Sequence, residues 1–399
     1  MDKIIPISDV VWFQEGPGVR NTQYTTEGVK LLNVANLVDG EVDLSNTNRY
    51  ISEEEAYGKY KHFLVDEGDL IIASSGIKVD YFDKKMGFIK AEHLPLCMNT
   101  STIRFKTLNA DVLDIQYFMY FLKSESFKQQ LAVQITGSAQ LNFGPSHLKK
   151  MSVKVVPIAQ QKEIVHKFNE IDRLISYRQQ QLIKLDELVK SRFVELFGDL
   201  NFNENGLDIV SIEELCTLIK DGTHQTPTYT EDKQSGFKFL SSKDVMTQKI
   251  SWDDIKYIPT ELHEKLYATI QPKRNDILMS KNGVNYGVAA VNDTDEVFDI
   301  YVSLALLRPI VEKVNPVYLR CAINSPDTKR QFDSSIKGIG VPNLHLGEIK
   351  KAKILLPPMS KQNEFVSFVE QIDKSKFEVQ QSLEKLETLK KSLMQQYFG

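Results

Sequence analysis

Residues 147–198 read HLKKMSVKVVPIAQQKEIVHKFNEIDRLISYRQQQLIKLDELVKSRFVELFG, and residues 348–399 read EIKKAKILLPPMSKQNEFVSFVEQIDKSKFEVQQSLEKLETLKKSLMQQYFG. The two align without a gap at an offset of 201 residues. Lys149-Lys150 falls on Lys350-Lys351, Pro157 on Pro358, Gln161 on Gln362, Leu188 on Leu389 and Phe197-Gly198 on Phe398-Gly399. Chance likeness between two amphipathic helices preserves apolar positions. It does not preserve paired lysines, a proline and a closing Phe-Gly, so the chain is a tandem duplication.

Upstream the repeat is fainter but persists. Tyr117 falls on Tyr318, Gly137 on Gly338 and Asn142 on Asn343; Gly28-Val-Lys-Leu-Leu32 matches Gly236-Phe-Lys-Phe-Leu240, and Gly68-Asp69-Leu70 matches Asn275-Asp276-Ile277. Each half is therefore a divergent body followed by a well-matched tail. The expected organisation is a body over 1–157, a helix over 158–198, a second body over 199–358 and a second helix over 359–399.

The tails carry seven-residue periodicity. Phe168, Ile175, Leu182, Val189 and Leu196 form one row, with Ile164, Ile171 and Leu185 beside it; Phe365, Ile372, Val379, Leu386 and Leu393 form the stronger row of the second tail. Such a period over about four heptads signals a coiled-coil seam. Arg178, Arg192, Lys376 and Lys390 interrupt the rows, as long stems can when their charged heads reach water. Each helix follows a proline and stops at glycine, which accepts a left-handed cap. About 38 residues at ~1.5 Å each predict a helix of roughly 57 Å. Connectivity makes the two helices antiparallel if they pack, with a body at either end.

Composition narrows the function classes. With 49 basic and 53 acidic side chains the net charge is −4 and the pI about 6.1, which excludes a wholesale polyanion binder and leaves basic surface local. Cys97, Cys216 and Cys321 are widely spaced and odd in number, which fits a reducing compartment and no disulfide framework. The N-terminal stretch has no basic region followed by an apolar core, so no signal peptide is expected, and no apolar run approaches the ~18 residues of a membrane span. A soluble, cytoplasmic protein is expected.

The whole chain resembles the specificity subunit of Type I restriction–modification enzymes. The duplication, the two dissimilar bodies and the paired heptad helices after a Lys-Lys…Pro…Gln segment carry the likeness. In the second body, Asp221-Gly-Thr-His-Gln-Thr-Pro227 looks like the opening of a target recognition domain; Gly16-Pro-Gly-Val-Arg20 replaces that pattern in the first. The resemblance implies an α/β (α+β) fold: two mixed target recognition domains separated by two long antiparallel coiled-coil helices in a pseudo-twofold duplication. It implies recognition of double-stranded DNA at a bipartite asymmetric site, with two methyltransferase subunits as partners and two restriction subunits as further ones. Half-sites read from one face of a duplex lie about one helical turn, roughly 34 Å, or an extension of it apart. S-adenosylmethionine, ATP and Mg²⁺ would belong to the partners, and this chain would hold no cofactor or metal.

By the same resemblance the DNA-contacting residues are Arg20, Asn21 and Gln23 in the first opening loop and Thr223, His224 and Gln225 in the second. Loops after matching strand-like runs add Ser74 and Lys78, and Lys281 and Asn282. Gln140, Asn142 and Asn343 are amides of the kind that pair with adenine, although they could equally cap lysine-rich turns. Lys149, Lys150, Lys350 and Lys351 are the clearest local basic clusters, suited to phosphates or to a partner.

No catalytic residues are expected. The chain lacks GxxxxGK[ST], HExxH, G-x-S-x-G and the Asn/Asp-Pro-Pro-aromatic signature of amino-methyltransferases. Pro326-Asp327 with Glu348-Ile-Lys350 formally fits a metal-dependent nuclease. Ser325-Pro326-Asp327 reads better as a helix start, and its repeat partners, Ser126 and His147, lack the acids. The rival reading is a coiled-coil scaffold whose heads bind proteins and read no DNA.

Overall fold

A computed structural model describes residues 3–134, 141–336 and 342–399. The chain divides into two compact units, residues 1–178 with 382–399, and residues 179–381. Each unit thus contains one body, the start of the helix that leaves it and the end of the other helix.

Both bodies are built on the same strands. In the first unit an antiparallel sheet runs in the order Val11–Glu15, Thr102–Thr107, Leu70–Ala73, Met86–Phe88. In the second it runs Cys216–Asp221, Leu304–Pro309, Ile277–Ser280, Ala289–Val291. The central runs Leu70–Ala73 and Ile277–Ser280 are wholly buried, because sheet on one side and helices on the other leave them no solvent face. A three-stranded mixed sheet accompanies each: Val29–Leu32 lies parallel to Leu96–Met98, and Phe237–Leu240 lies parallel to Phe298–Ile300. A third, two-stranded sheet joins Lys3–Pro6 to Ser152–Val155, and Asp208–Ser211 to Lys353–Leu356. The expected mixed α/β duplication is borne out, and the structure adds that the two bodies share their strand order.

Matched residues in the sequence take matched structural roles. Gly68 and Asn275 both sit at positive φ, +84° and +73°, where glycine and asparagine are the residues tolerated best. Each turn leads into a buried aspartate paired with an arginine on the neighbouring strand: Asp69 with Arg104 at 3.3 Å, and Asp276 with Arg308 at 2.7 Å. Tyr117 and Tyr318 donate their hydroxyls to the carbonyls of Lys154 and Leu355.

The long helices span Ile158–Phe197 and Met359–Phe398, 40 residues each. Within the first unit, Phe398 packs at a tilt against Tyr117 and stacks on Phe168, with centroids 5.0 and 6.2 Å away. Within the second, Phe197 meets Tyr318 and Phe365 at 5.1 and 5.6 Å. In each unit the start of one helix lies beside the end of the other, which is the antiparallel sense. Of the residues at heptad spacing, Ile164, Phe168, Ile171, Phe365, Ile372 and Val379 are buried and the others half-buried, and the interrupting cations are half-buried as expected for snorkelling stems. Their heads find acids: Lys390 reaches Asp172 at 2.5 Å, Arg192 reaches Glu195 at 2.9 Å, and Lys376 pairs with Asp186.

Candidate nucleic-acid interface

Three loops named separately in the sequence come together at one end of the main sheet in each body. In the second, Asp221 ends its strand and Gly222 follows, packed so closely that a Cβ there would lie 2.1 Å from the Ile300 carbonyl oxygen. Glycine is required at that contact. Thr223 is then held to the Ile300–Val302 turn, donating its N–H to Ile300 and accepting from Val302. The next loop is tied to the same turn, because the Lys281 N–H donates to Ser303 O at 2.8 Å. The third segment closes the set: Leu344 N–H donates to Lys281 O at 2.8 Å, Gly283 N–H donates to Pro342 O at 3.0 Å, and Asn282 bridges Asn343.

The first body repeats this backbone arrangement. A Cβ on Gly16 would lie 2.0 Å from Asn99 O. Ser74 N–H donates to Ser101 O, and Phe143 N–H donates to Ser74 O, each at 2.9 Å. Asn142 pairs with Ser75. Glu15-Gly16 therefore occupies the place of Asp221-Gly222, so the first body's opening departs from the second in sequence but not in position.

The side chains on these matched frames differ. Asp221 accepts from the Lys281 ammonium at 2.7 Å and lies 3.3 Å from His224 Nε2. Burial works to raise the Asp221 pKa. The hydrogen bond and charge of Lys281, with the charge of His224, outweigh it and hold the carboxyl below its usual range. A depressed carboxyl pKa contributes stability above the unfolded value, lost only as pH falls through the folded one, so this pair persists throughout neutral pH. In the first body Ser74 replaces the lysine; its hydroxyl is buried and has no hydrogen-bond partner among the described residues. Asn99 instead gathers the loops there, accepting from Val19 N–H and donating to Asn33 Oδ1.

The remaining candidate residues are placed as follows. Arg20, Asn21, Asn142, His224, Gln225 and Asn343 are exposed on these loops, and Lys78 is exposed beside them. Thr223 and Asn282 are half-buried. Gln23 donates to Glu55 and Tyr60 and accepts from Arg20 N–H, so its amide is engaged within the body. Ser74 and Lys281 are 1% and 5% exposed, which puts both beneath the surface that the loops present. Gln140 lies outside the described residues, as do Gly137 and Gly338. Lys149 and Lys150 are exposed, and neither has an ion-pair partner among the described residues. Lys350 and Lys351 pair with Glu213 and Glu348, so the second cluster is partly neutralised. Asn99, Ser101 and Ser303 were not singled out in the sequence; the two serines contribute backbone carbonyls in a turn, and Asn99 contributes a buried amide that binds segments far apart in the chain, neither of which leaves a motif.

Asp327 is where a helix start puts it. Ser325 caps Pro326–Ser335 by accepting from Thr328 N–H, and Asp327 accepts from Leu200 N–H at 2.8 Å. Among the described residues no group of three or more His, Cys, Asp or Glu side chains could hold a metal. No described helix is long and apolar enough to cross a membrane.

A matched pair of recognition frames with unlike side chains, joined by paired helices, is the arrangement that the resemblance anticipated. The family described as Type I restriction modification DNA specificity domain matches residues 19–187 and again 204–390. The chain belongs to that family. Its relatives include the MjaVIII specificity subunit of Methanocaldococcus jannaschii, 22% identical over 47% of this chain and 43% of that protein's length. The EcoKI specificity subunit of Escherichia coli is 19% identical over 99% of this chain and 88% of that one. Among solved structures, a chain from work on complex assembly and conformational transition of the type I restriction–modification system superposes with a TM-score of 0.61 at 14% identity, covering 100% of this chain and 97% of that one. The shared fold includes both units.

Proposed function

We propose that the chain is the DNA sequence-recognition subunit of a Type I restriction–modification complex, and that it reads a bipartite asymmetric site with one body per half-site. The observation that carries this reading is the repeated loop frame. Backbone contacts are kept in both bodies while, Asn142 and Asn343 apart, the side chains they display are changed. That is what reading two different short sequences with one scaffold requires, since backbone position sets approach to the groove and side chains supply the donor and acceptor pattern. Arg20, Asn21, Asn142, His224, Gln225 and Asn343 are the exposed groups for base or phosphate contact, with Lys149 and Lys150 as phosphate contacts.

Methylation of adenine, and cleavage where restriction subunits join, would reside in the partners together with S-adenosylmethionine, ATP and Mg²⁺. Two copies of one methyltransferase subunit fit the duplication. Leu188 and Leu389 are repeat counterparts, 46% and 48% exposed on their helices. A leucine kept twice at the surface does nothing for either core, but it suits a docking position used twice by the same partner. Exchange of residues 1–146 for those of another family member tests the reading. The methylated motif should change in one half and stay unchanged in the other. A motif altered in both halves, or in neither, would contradict it.

A further inference from the structure

Lysine is the usual phosphate contact of a DNA-binding loop, and Lys281 sits in one of the three converging loops. Its geometry does not suit that role. The residue is 5% exposed, and its ammonium lies 2.7 Å from Asp221 Oδ2. Its backbone N–H is committed to Ser303 and its carbonyl to Leu344. A single residue therefore ties together the opening loop, the 300–303 turn and the 342–344 segment. The carboxylate it holds also faces His224, whose ring is exposed on the outer side of the pair. Lys281 lies behind the surface, and His224 lies on it.

The first body shows what the frame looks like without this pair. Ser74 keeps both backbone bonds of Lys281 but has no ammonium. The acid in the place of Asp221 is Glu15, and it leans towards the third segment; a Cβ on Gly144 would lie 3.2 Å from Glu15 Oε2. The backbone frame thus forms in the first body with the Asn99 amide and no ion pair tying its loops, so the frame itself does not depend on such a pair. What the pair adds in the second body is a fixed distance between the loop bearing Thr223, His224 and Gln225 and the segment bearing Asn343.

We infer that Asp221 and Lys281 are positioning residues that set the register of the second body's reading loops, and so determine stringency at the second half-site without touching DNA. This rests on the recognition role proposed above and goes beyond it, by assigning Lys281 a place under the interface and restricting the effect to one half of the site. An ion pair removed from beneath two loops loosens both, and discrimination against a wrong base depends on donors held in place.

The test uses the whole chain co-purified with its methyltransferase partner, with the methylated motif mapped for wild type, Asp221→Asn, Lys281→Met, the double variant and the charge swap Asp221→Lys/Lys281→Asp. The second half-site is the half that survives exchange of residues 1–146. Each single variant should raise methylation at sites carrying one wrong base in that half by about tenfold relative to cognate sites. Stringency in the first half and assembly with the partner should be unchanged. The charge swap should recover stringency, which a loss of general stability would not allow. Should a single variant leave a buried charge that prevents assembly, the double variant has none, keeps similar volume and must show the same one-sided relaxation. Unchanged stringency in assembled variants would overturn the inference. So would a uniform loss of methylation at all sites with a salt slope shallower by about one, the signature of a lost phosphate contact. Absence of any two-part motif with the wild-type complex would instead remove the recognition role itself.

Discussion

Gln161 and Gln362 are fully buried amides with matched partners. Gln161 accepts from Asp114 N–H and donates to the carbonyls of Val112 and Val156; Gln362 accepts from Asn315 N–H and donates to those of Lys313 and Pro357. Each clips the start of a long helix to the segment leading into a body helix. Removal leaves several buried backbone groups unsatisfied. Gln161→Ala and Gln362→Ala should each destabilise their own unit by about 2–3 kcal/mol, read as a fall in denaturation midpoint with loss of amide protection confined to that unit. The cysteines make a second prediction at this scale. Burial pushes the Cys97 and Cys216 thiols up to about 12 and raises Cys321 as well. Thiolate is the reactive form, so iodoacetamide at pH 8 should leave the native chain unmodified and alkylate all three in denaturant. The glutamines were legible because the repeat aligned them without a gap. The equivalence of Glu15-Gly16 with Asp221-Gly222 was not. Insertions between loops shift the offset there from 201 to 206, and the feature retained is a close backbone approach rather than a residue pattern.

At the scale of elements, the helices were the most legible part of the chain. Heptad spacing marked their inner rows, and proline and glycine marked their ends; Gly198 is at φ +79° and its N–H donates to Val194 O. Which body each helix end packs against was not written in the periodicity. It follows from the closing phenylalanines, 1% and 3% exposed, and the tyrosines they meet. Phe197→Ala and Phe398→Ala should each cost about 3–5 kcal/mol in the unit where the ring is buried. Leu188→Glu and Leu389→Glu should behave in the opposite way. Both positions are exposed, so unfolding should move by less than about 0.5 kcal/mol. Co-purification of the methyltransferase subunit should drop sharply, and retention of full stoichiometry in the double variant would place the docking surface elsewhere.

For the whole molecule, the repeat that organises the chain also divides its chemistry. Two bodies share strand order, a buried Asp–Arg pair and a loop frame, and differ in what the loops display. The sequence revealed the duplication and the resemblance, but not which loop residues face outward. Ser74 and Lys281 follow strand-like runs just as exposed loop residues would, and only the packed structure shows them buried. A net charge of −4 gives the isolated chain little general attraction for phosphate. Its site-specific binding at physiological salt should be weak and should tighten greatly when the methyltransferase subunits are present. The central claim is tested most directly by expressing the chain with its methyltransferase partner in a host free of DNA methylation and mapping modified adenines by long-read sequencing. The account predicts one two-part motif with a fixed gap and unlike halves. A stable complex that methylates without such a motif, or with a single undivided one, would contradict it.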